Sequence, residues 1–191
     1  MKIAIYPGSF NPVHTGHVRL ARALLDMELA DELWMLVSPH NPLKINEELI
    51  DEHHRLAMTK LAIAGEKGMI VSDFEFSLPR PSYSIDTLSG IVSAHPGHQF
   101  LLLIGSDNAQ VFDQWKDYPE ILKLVDVYVY PRTGYPVTEA IRRFPGMKGL
   151  ETKVYDISST QLRSLLKSRQ STGEWLHPDV AAYIAANELY L

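Results

Sequence analysis

The hydrophobic positions along the chain alternate between short continuous apolar runs and stretches with helical spacing. The continuous runs predict strands at residues 2–6, 32–38, 69–76, 99–105, 126–131 and 152–157. The helical spacing predicts helices at residues 18–29, 51–64 and 84–95, and two more within residues 158–191. Strands that alternate with helices and have nearly continuous apolar cores are typical of a parallel sheet covered on both faces. The pattern therefore predicts a doubly wound α/β fold.

Composition and charge narrow this picture. We expect residues 1–191 to form a single domain, a Rossmann-like parallel sheet with a small C-terminal helical segment at residues 158–191. The absence of cysteine excludes disulfides, thiolate catalysis and zinc–cysteine sites. The net charge of −5 argues against nucleic acid and anionic membranes as partners. Because we find no signal peptide and no long apolar run, we expect a cytoplasmic protein, and a homo-oligomer stays open.

Residues 8–17, GSFNPVHTGH, connect the first predicted strand to the first predicted helix. Open parallel sheets bind ligands beyond the carboxyl ends of their strands, and this segment begins at such an end. Gly8 and Ser9 would permit a close approach of the backbone to a ligand. The segment is therefore the first candidate for a binding site.

The two histidines of this segment lie around the start of the predicted helix. With Thr15 or Gly16 as the N-cap, His17 falls in the first turn. A helix N-terminus presents backbone N–H groups and the positive end of the helix dipole, which together favour phosphate. His14 and His17 could both donate hydrogen bonds to phosphate oxygens there.

An HxxH pair alone has other interpretations. Such histidines are most often surface residues or helix caps. A metal site would need a third ligand, and ligand pairs on helices are usually four residues apart. The adjacent His53 and His54 are assigned no role. The dinucleotide fingerprint GxGxxG is absent, which disfavours a nicotinamide-dependent oxidoreductase.

Two separate motifs resemble one superfamily. GSFNPVHTGH resembles the GxFxPxHxGH signature of the nucleotidylyltransferases, and residues 157–163, ISSTQLR, resemble their ISSTxIR motif. Leu162 stands where isoleucine is commoner. The two serines and Arg163 of the second motif would lie at another helix N-terminus, which is also suited to polyphosphate.

The resemblance implies a reaction in which an oxygen nucleophile attacks the α-phosphorus of a nucleoside triphosphate and pyrophosphate leaves. A substrate phosphate is largely ionised at neutral pH, so that no general base is required. The implied catalytic residues are His14, His17, Lys44 and Arg163. The implied ATP site comprises Gly8, Ser9, Phe10, His14, His17, Gly105, Ser158, Ser159 and Arg163. Mg²⁺ is the expected cofactor, held mainly by phosphates and water, with no protein residue assigned as a metal ligand.

Further stretches resemble the nicotinate-nucleotide adenylyltransferase family. Residues 81–88, PSYSIDTL, resemble that family's SYTIDTL stretch, and Gly105-Ser106-Asp107 with Trp115 matches its GxD…W segment. Residues 39–44, PHNPLK, resemble the family's lysine loop only loosely. In the family, the aspartate contacts ribose, the tryptophan stacks on the pyridine ring, and nearby backbone amides receive the carboxylate. The implied nicotinate mononucleotide site comprises Asn11, Lys44, Tyr83, Ser84, Asp107, Trp115 and Arg132.

Several alternatives stay open. Nicotinamide-mononucleotide and phosphopantetheine adenylyltransferases belong to the same superfamily. A non-catalytic nucleotide sensor on this fold would need fewer of the contacts that act in the transition state. At single positions, Trp115 could be a half-buried anchor, Asp107 a helix N-cap and Tyr83 an ordinary core residue.

Overall fold

The computed structural model describes residues 1–39 and 49–191. Within these residues, the strands are β1 (Lys2–Gly8), β2 (Glu32–Val37), β3 (Met69–Ser72), β4 (Gln99–Gly105), β5 (Asp126–Tyr130) and β6 (Met147–Gly149). They form one sheet in the order β3-β2-β1-β4-β5-β6, and every pairing is parallel. The predicted parallel α/β sheet is confirmed.

The helices follow the strands along the chain. They are α1 (Thr15–Asp26), α2 (Glu52–Ala62), α3 (Ser84–Ala94), α4 (Ser106–Gln110), α5 (Tyr118–Leu124), α6 (Val137–Arg143), α7 (Ser159–Lys167) and α8 (Pro178–Ala186). Short 3₁₀ turns lie at Phe74–Ser77, Phe112–Gln114 and Gly173–Trp175. None of the helices in the described ranges is long and apolar enough to cross a bilayer.

Alternate residues of the central strands face opposite layers of the core. On β4, Leu101 and Leu103 join the cluster that contains buried residues of α1, α2, α7 and α8. Leu102 and Ile104 join the second cluster, with buried residues of α3 to α6. A sheet buried on both faces explains the nearly continuous apolar strand sequences. The single domain stays a prediction, which the shared packing of α7 and α8 with the sheet supports.

Two strands predicted from the sequence differ from the structure. Residues 152–157 are not a strand, because sheet pairing ends at Leu150, whose N–H donates to the carbonyl of Val129 (2.8 Å). Val154 is 47% exposed, and the segment leads instead to the start of α7. The predicted run 69–76 pairs only through Ser72 and then turns into the 3₁₀ turn. The short strand β6 and the short helices α4, α5 and α6 were not predicted.

Candidate active site

A cavity opens beyond the carboxyl ends of β1, β4 and β5. It lies at the boundary between β1 and β4, where the strand order reverses, which is the usual ligand position in open α/β sheets. We call it the switch cavity. Of the predicted site residues, those that line it are Gly8, Ser9, Phe10, Asn11, His14, His17, Asp107, Arg132, Ser158 and Ser159.

The two predicted glycines are required by close approaches. A Cβ at Gly8 would lie 2.8 Å from Cζ of Phe10, a buried residue with a left-handed φ of +45°. A Cβ at Gly105 would overlap Oδ1 of Asp107 and lie 3.1 Å from Cγ of Arg132. Gly105 therefore shapes the wall of the switch cavity without lining it.

His14, rather than Thr15 or Gly16, is the N-cap of α1. Its backbone is extended (φ −141°, ψ 167°), and its carbonyl accepts a hydrogen bond from the His17 N–H (2.9 Å). The expectation for the cap was wrong by one or two residues because a histidine without an oxygen side chain is a poor cap by propensity alone. The expectation for His17 is confirmed, since it lies in the first turn.

The two imidazole rings stack on each other. Their centroids are 3.6 Å apart with an interplanar angle of 25°. The backbone N–H of His14 donates to Nδ1 of His17 (3.1 Å). A neutral His17 therefore carries its proton on Nε2. Burial, with the positive charge of Arg132 as the second cause, lowers the pKa of His14 from 6.5 to about 3. His14 is therefore neutral at physiological pH.

The second motif begins α7, as predicted. Ser158 is its N-cap: the Ser158 Oγ accepts from the Gln161 N–H (3.2 Å), and Gln161 Oε1 accepts from the Ser158 N–H (2.8 Å). Ser159 Oγ donates to the carbonyl of Pro12 (2.9 Å). Arg163 Nη1 donates to the carbonyl of Asn11 (2.8 Å). These bonds join the two motifs across more than 140 positions of the chain.

Asp107 and Arg132 form the opposite wall of the switch cavity. Arg132 Nε lies 3.8 Å from Asp107 Oδ2, and Oδ1 of Asp107 is buried with no hydrogen-bond partner among the described residues. Gly105 is the N-cap of α4, so Asp107 does not cap this helix. A buried carboxylate oxygen with no partner is costly, and a donor on a bound ligand would offset that cost.

Of the other residues predicted to bind the acceptor, Tyr83, Ser84 and Trp115 lie in a second cluster together with Asp86 and Lys116, and we call these five residues the α3 corner. They do not line the switch cavity. Tyr83 is the N-cap of α3, and Lys116 Nζ lies 4.9 Å from its ring centre and 2.9 Å from Asp86 Oδ2. The Trp115 ring packs on Phe112, and its Nε1 is buried with no partner among the described residues. The predicted Lys44 lies outside the described residues.

A buried arginine that the sequence analysis did not assign supports the first motif. Arg55 of α2 is 1% exposed, and its guanidinium donates to the carbonyls of Ser9 (2.7 Å), Ser38 (2.6 Å), Pro39 (2.8 Å) and Ile50 (3.1 Å). The sequence signal was a charged residue on the apolar face of a helix, which is rarely buried without such partners.

Buried tyrosines complete the surroundings of the switch cavity. Tyr6 and Tyr130 line it, and burial raises the pKa of both hydroxyls, so that they stay protonated. The Tyr190 hydroxyl donates to Oδ1 of Asn11 (2.8 Å). Thus the side-chain oxygen of Asn11, predicted to bind substrate, already has a protein partner, and its role stays a prediction.

Metal ligands are scarce in the described part of the chain. No group of three or more His, Cys, Asp or Glu side chains there could hold a metal ion.

Comparisons with known proteins agree on one family. A family model described as "Cytidylyltransferase-like" matches residues 5–165. The "Probable nicotinate-nucleotide adenylyltransferase" of Flavobacterium johnsoniae is 37% identical over 191 residues, covering 100% of this chain and 99% of the relative. The protein of the same name from Bacteroides fragilis is 42% identical over 179 residues, covering 94% and 89%.

A solved structure has the same fold. The Plasmodium falciparum nicotinic acid mononucleotide adenylyltransferase complexed with NaAD has a TM-score of 0.83 at 20% identity, covering 99% of this chain and 97% of that chain. The same enzyme complexed with APC has a TM-score of 0.81 at 21% identity, covering 99% and 96%. At this identity the likeness establishes the Rossmann-like fold.

Proposed function

This chain belongs to the nicotinate-nucleotide adenylyltransferase family, and we propose that it transfers the adenylyl group of ATP to nicotinate mononucleotide, giving deamido-NAD and pyrophosphate. The observation that carries the proposal is the meeting of two helix N-termini, those of α1 and α7, at one cavity at the reversal of strand order. Helix N-termini present backbone N–H groups, and the α1 end also carries the imidazoles of His14 and His17; both features suit a triphosphate.

The nucleophile is a phosphate oxygen of the acceptor. It attacks the α-phosphorus in line, one P–O bond forms, and the bond to the pyrophosphate oxygen breaks. A phosphate monoester is largely a dianion at neutral pH, since its second pKa is about 6. The reaction therefore needs neither a general base nor a covalent enzyme intermediate, and catalysis rests on positioning and on charge stabilisation.

His17 is the residue assigned to the transferring phosphate. Its Nδ1 accepts from the backbone N–H of His14, so a neutral ring carries its proton on Nε2. His14, neutral at physiological pH, Lys44 and Arg163 are assigned to the β- and γ-phosphates, with Ser158 and Ser159. As charge grows on the transferring and leaving groups, these fixed donors stabilise it without reorganisation.

Mg²⁺ is assigned to the nucleotide rather than to the protein. Mg²⁺ prefers oxygen ligands and keeps several waters, so a nucleotide-bound cation takes its ligands mainly from phosphate oxygens and water. When bound, the cation would neutralise charge on the departing pyrophosphate.

The acceptor nucleotide is assigned to Asp107 of the switch cavity and to the α3 corner. Oδ1 of Asp107 is the buried acceptor for a ribose hydroxyl. Trp115 is assigned to the pyridine ring, and the backbone N–H groups at the start of α3, after Tyr83 and Ser84, to the nicotinate carboxylate. A carboxylate offers two acceptor oxygens to such donors, whereas an amide must turn an NH₂ group toward one of them.

The test is a pyrophosphate-release assay with ATP and three acceptors: nicotinate mononucleotide, nicotinamide mononucleotide and phosphopantetheine. We expect kcat/KM for the acid to exceed that for the amide roughly 100-fold, because the amide leaves a buried N–H unpaired at a cost of about 1–3 kcal/mol and loses charge-assisted bonds. Equal rates would indicate a dual-specificity enzyme, and a preference for the amide would refute the acceptor. Binding of ATP without any turnover would favour a nucleotide sensor.

A further inference from the structure

We propose that Glu75 is a positioning residue for acceptor recognition: its buried carboxylate holds the backbone at Tyr83 and Ser84 in place. The inference rests on the proposed function and deepens it. Glu75 lies in the 3₁₀ turn Phe74–Ser77 and is 6% exposed. It does not line the switch cavity.

The carboxylate binds hydroxyl groups on both sides of the candidate carboxylate-binding segment. Oε2 accepts from Ser82 Oγ (3.3 Å), and Oε1 accepts from Thr87 Oγ1 (3.1 Å). Ser82 immediately precedes Tyr83, and Thr87 lies in the first turn of α3, where its N–H donates to the Tyr83 carbonyl (3.0 Å). The Glu75 side chain therefore holds the segment through residues on both sides of the segment's backbone N–H donors.

Glu75 also connects this segment to the central sheet, because the 3₁₀ turn that carries it packs against β2. The same 3₁₀ turn packs closely on α3, because a Cβ at Gly90 would lie 2.9 Å from Cζ of Phe74. The start of α3 is thus held by Glu75 from a turn that packs on the sheet, and α3 is also held from the side through Phe74.

The chemistry of the group favours positioning over direct contact. Burial raises the pKa of Glu75, and the hydrogen bonds from Thr87 and Ser82 lower it. A negative side chain would repel the carboxylate of nicotinate, so contact with the substrate would be counterproductive. A carboxylate offers one acceptor oxygen to each of the two hydroxyls, whereas an amide has a single acceptor oxygen. The residue type suits a junction of two donors.

The test measures KM for ATP and for nicotinate mononucleotide separately in Glu75→Leu, Glu75→Gln and the control Glu120→Gln. Glu120 is an exposed residue of α5 paired with Lys123. In Glu75→Leu we expect the acceptor KM to rise about tenfold, with less than about a twofold change in the ATP KM, because lost hydrogen bonds displace only the acceptor segment. Glu75→Gln should recover part of the loss, and Glu120→Gln should match the unsubstituted enzyme.

A second pair of variants keeps the test informative if Glu75→Leu does not fold. Ser82→Ala and Thr87→Val each remove one donor, and we expect each to raise the acceptor KM about threefold, while Thr87→Ser restores it. Equal changes in both KM values, or a loss of folded protein with both KM values unchanged, would overturn the inference while the proposed function stands. If the unsubstituted enzyme shows no turnover with nicotinate mononucleotide, the proposed function fails first and the inference with it.

Discussion

The switch cavity and the α3 corner are held by different kinds of contact. At the switch cavity, the loop of the first motif is fixed by buried groups from distant parts of the chain: Arg55 on Ser9, and Tyr190 and Arg163 on Asn11. At the α3 corner, the side chains meet through the ion pair of Lys116 with Asp86, whose side chains are 43% and 51% exposed. The buried contact at this corner is made by Glu75, whose Oε1 accepts from Thr87 Oγ1 in the first turn of α3.

This difference matches the chemistry assigned to each region. Stabilising charge on a transferring phosphate depends on donors that are already in place, because reorganisation during the reaction is costly. Recognition of an acceptor tolerates exposed side chains when the backbone donors are fixed. Buried hydrogen bonds to charged groups contribute about 1.5–3 kcal/mol, and exposed ion pairs about 0–1 kcal/mol.

The largest expected effect is at His17. His17→Ala should lower kcat by roughly 100- to 1,000-fold with a smaller change in the KM for ATP, because a donor aimed at developing charge contributes about 3–4 kcal/mol. Steady-state pyrophosphate release measures both constants. His53→Ala, which removes an exposed histidine of α2, is the matched control. A kcat near that of the control would mean that the switch cavity does not take part in the chemical step.

The next prediction compares the loss of stability on removal of one cationic residue from each region. Arg55→Met leaves several buried carbonyls without their donor and should lower the free energy of unfolding by about 3 kcal/mol. Lys116→Met removes an exposed ion pair and should leave the free energy of unfolding nearly unchanged. Urea unfolding at pH 7 measures both. Equal losses would mean that the two regions are held equally firmly, against the comparison drawn above.

A further effect is the pH dependence that His14 confers. The pKa of His14 is about 3 in the folded protein and 6.5 in the unfolded chain. At pH values between these two, only the unfolded chain binds the proton. The stability contribution is complete above pH 6.5 and is lost as the pH falls towards 3. At pH 4.5 the loss should reach about 2–3 kcal/mol. Urea unfolding at pH 7 and 4.5 should show a smaller drop in His14→Asn, and an identical drop would contradict the assignment.

The smallest expected effect is at Trp115. Trp115→Ala should raise the KM for both pyridine acceptors about tenfold, since stacking contributes about 1–3 kcal/mol per ring and does not distinguish acid from amide. The KM for ATP should change much less. Trp175→Ala, which removes a ring that packs on Arg19, serves as the control. If only the ATP KM rose, the α3 corner would not be the acceptor side.

Local pattern alone determined the alternation of strands and helices, the bounds of β4 and the start of α7, whereas it placed the cap of α1 one or two residues too late. Apolar runs and hydrogen bonds between near neighbours, such as Ser158 with Gln161, need no information from distant residues. The resemblance of short motifs then indicated ATP and a pyridine nucleotide as substrates, again from residues within a few positions of each other.

Tertiary structure decided what depends on distant partners. Residues 152–157 have an extended pattern, but a strand requires a neighbour to accept its hydrogen bonds, and pairing with β5 ends at Leu150. The burial of Arg55 is stable only because carbonyls from separate segments converge on it. Tyr190 reaches Asn11 across 179 positions. Such contacts form only when folding brings remote segments together, so no local pattern encodes them.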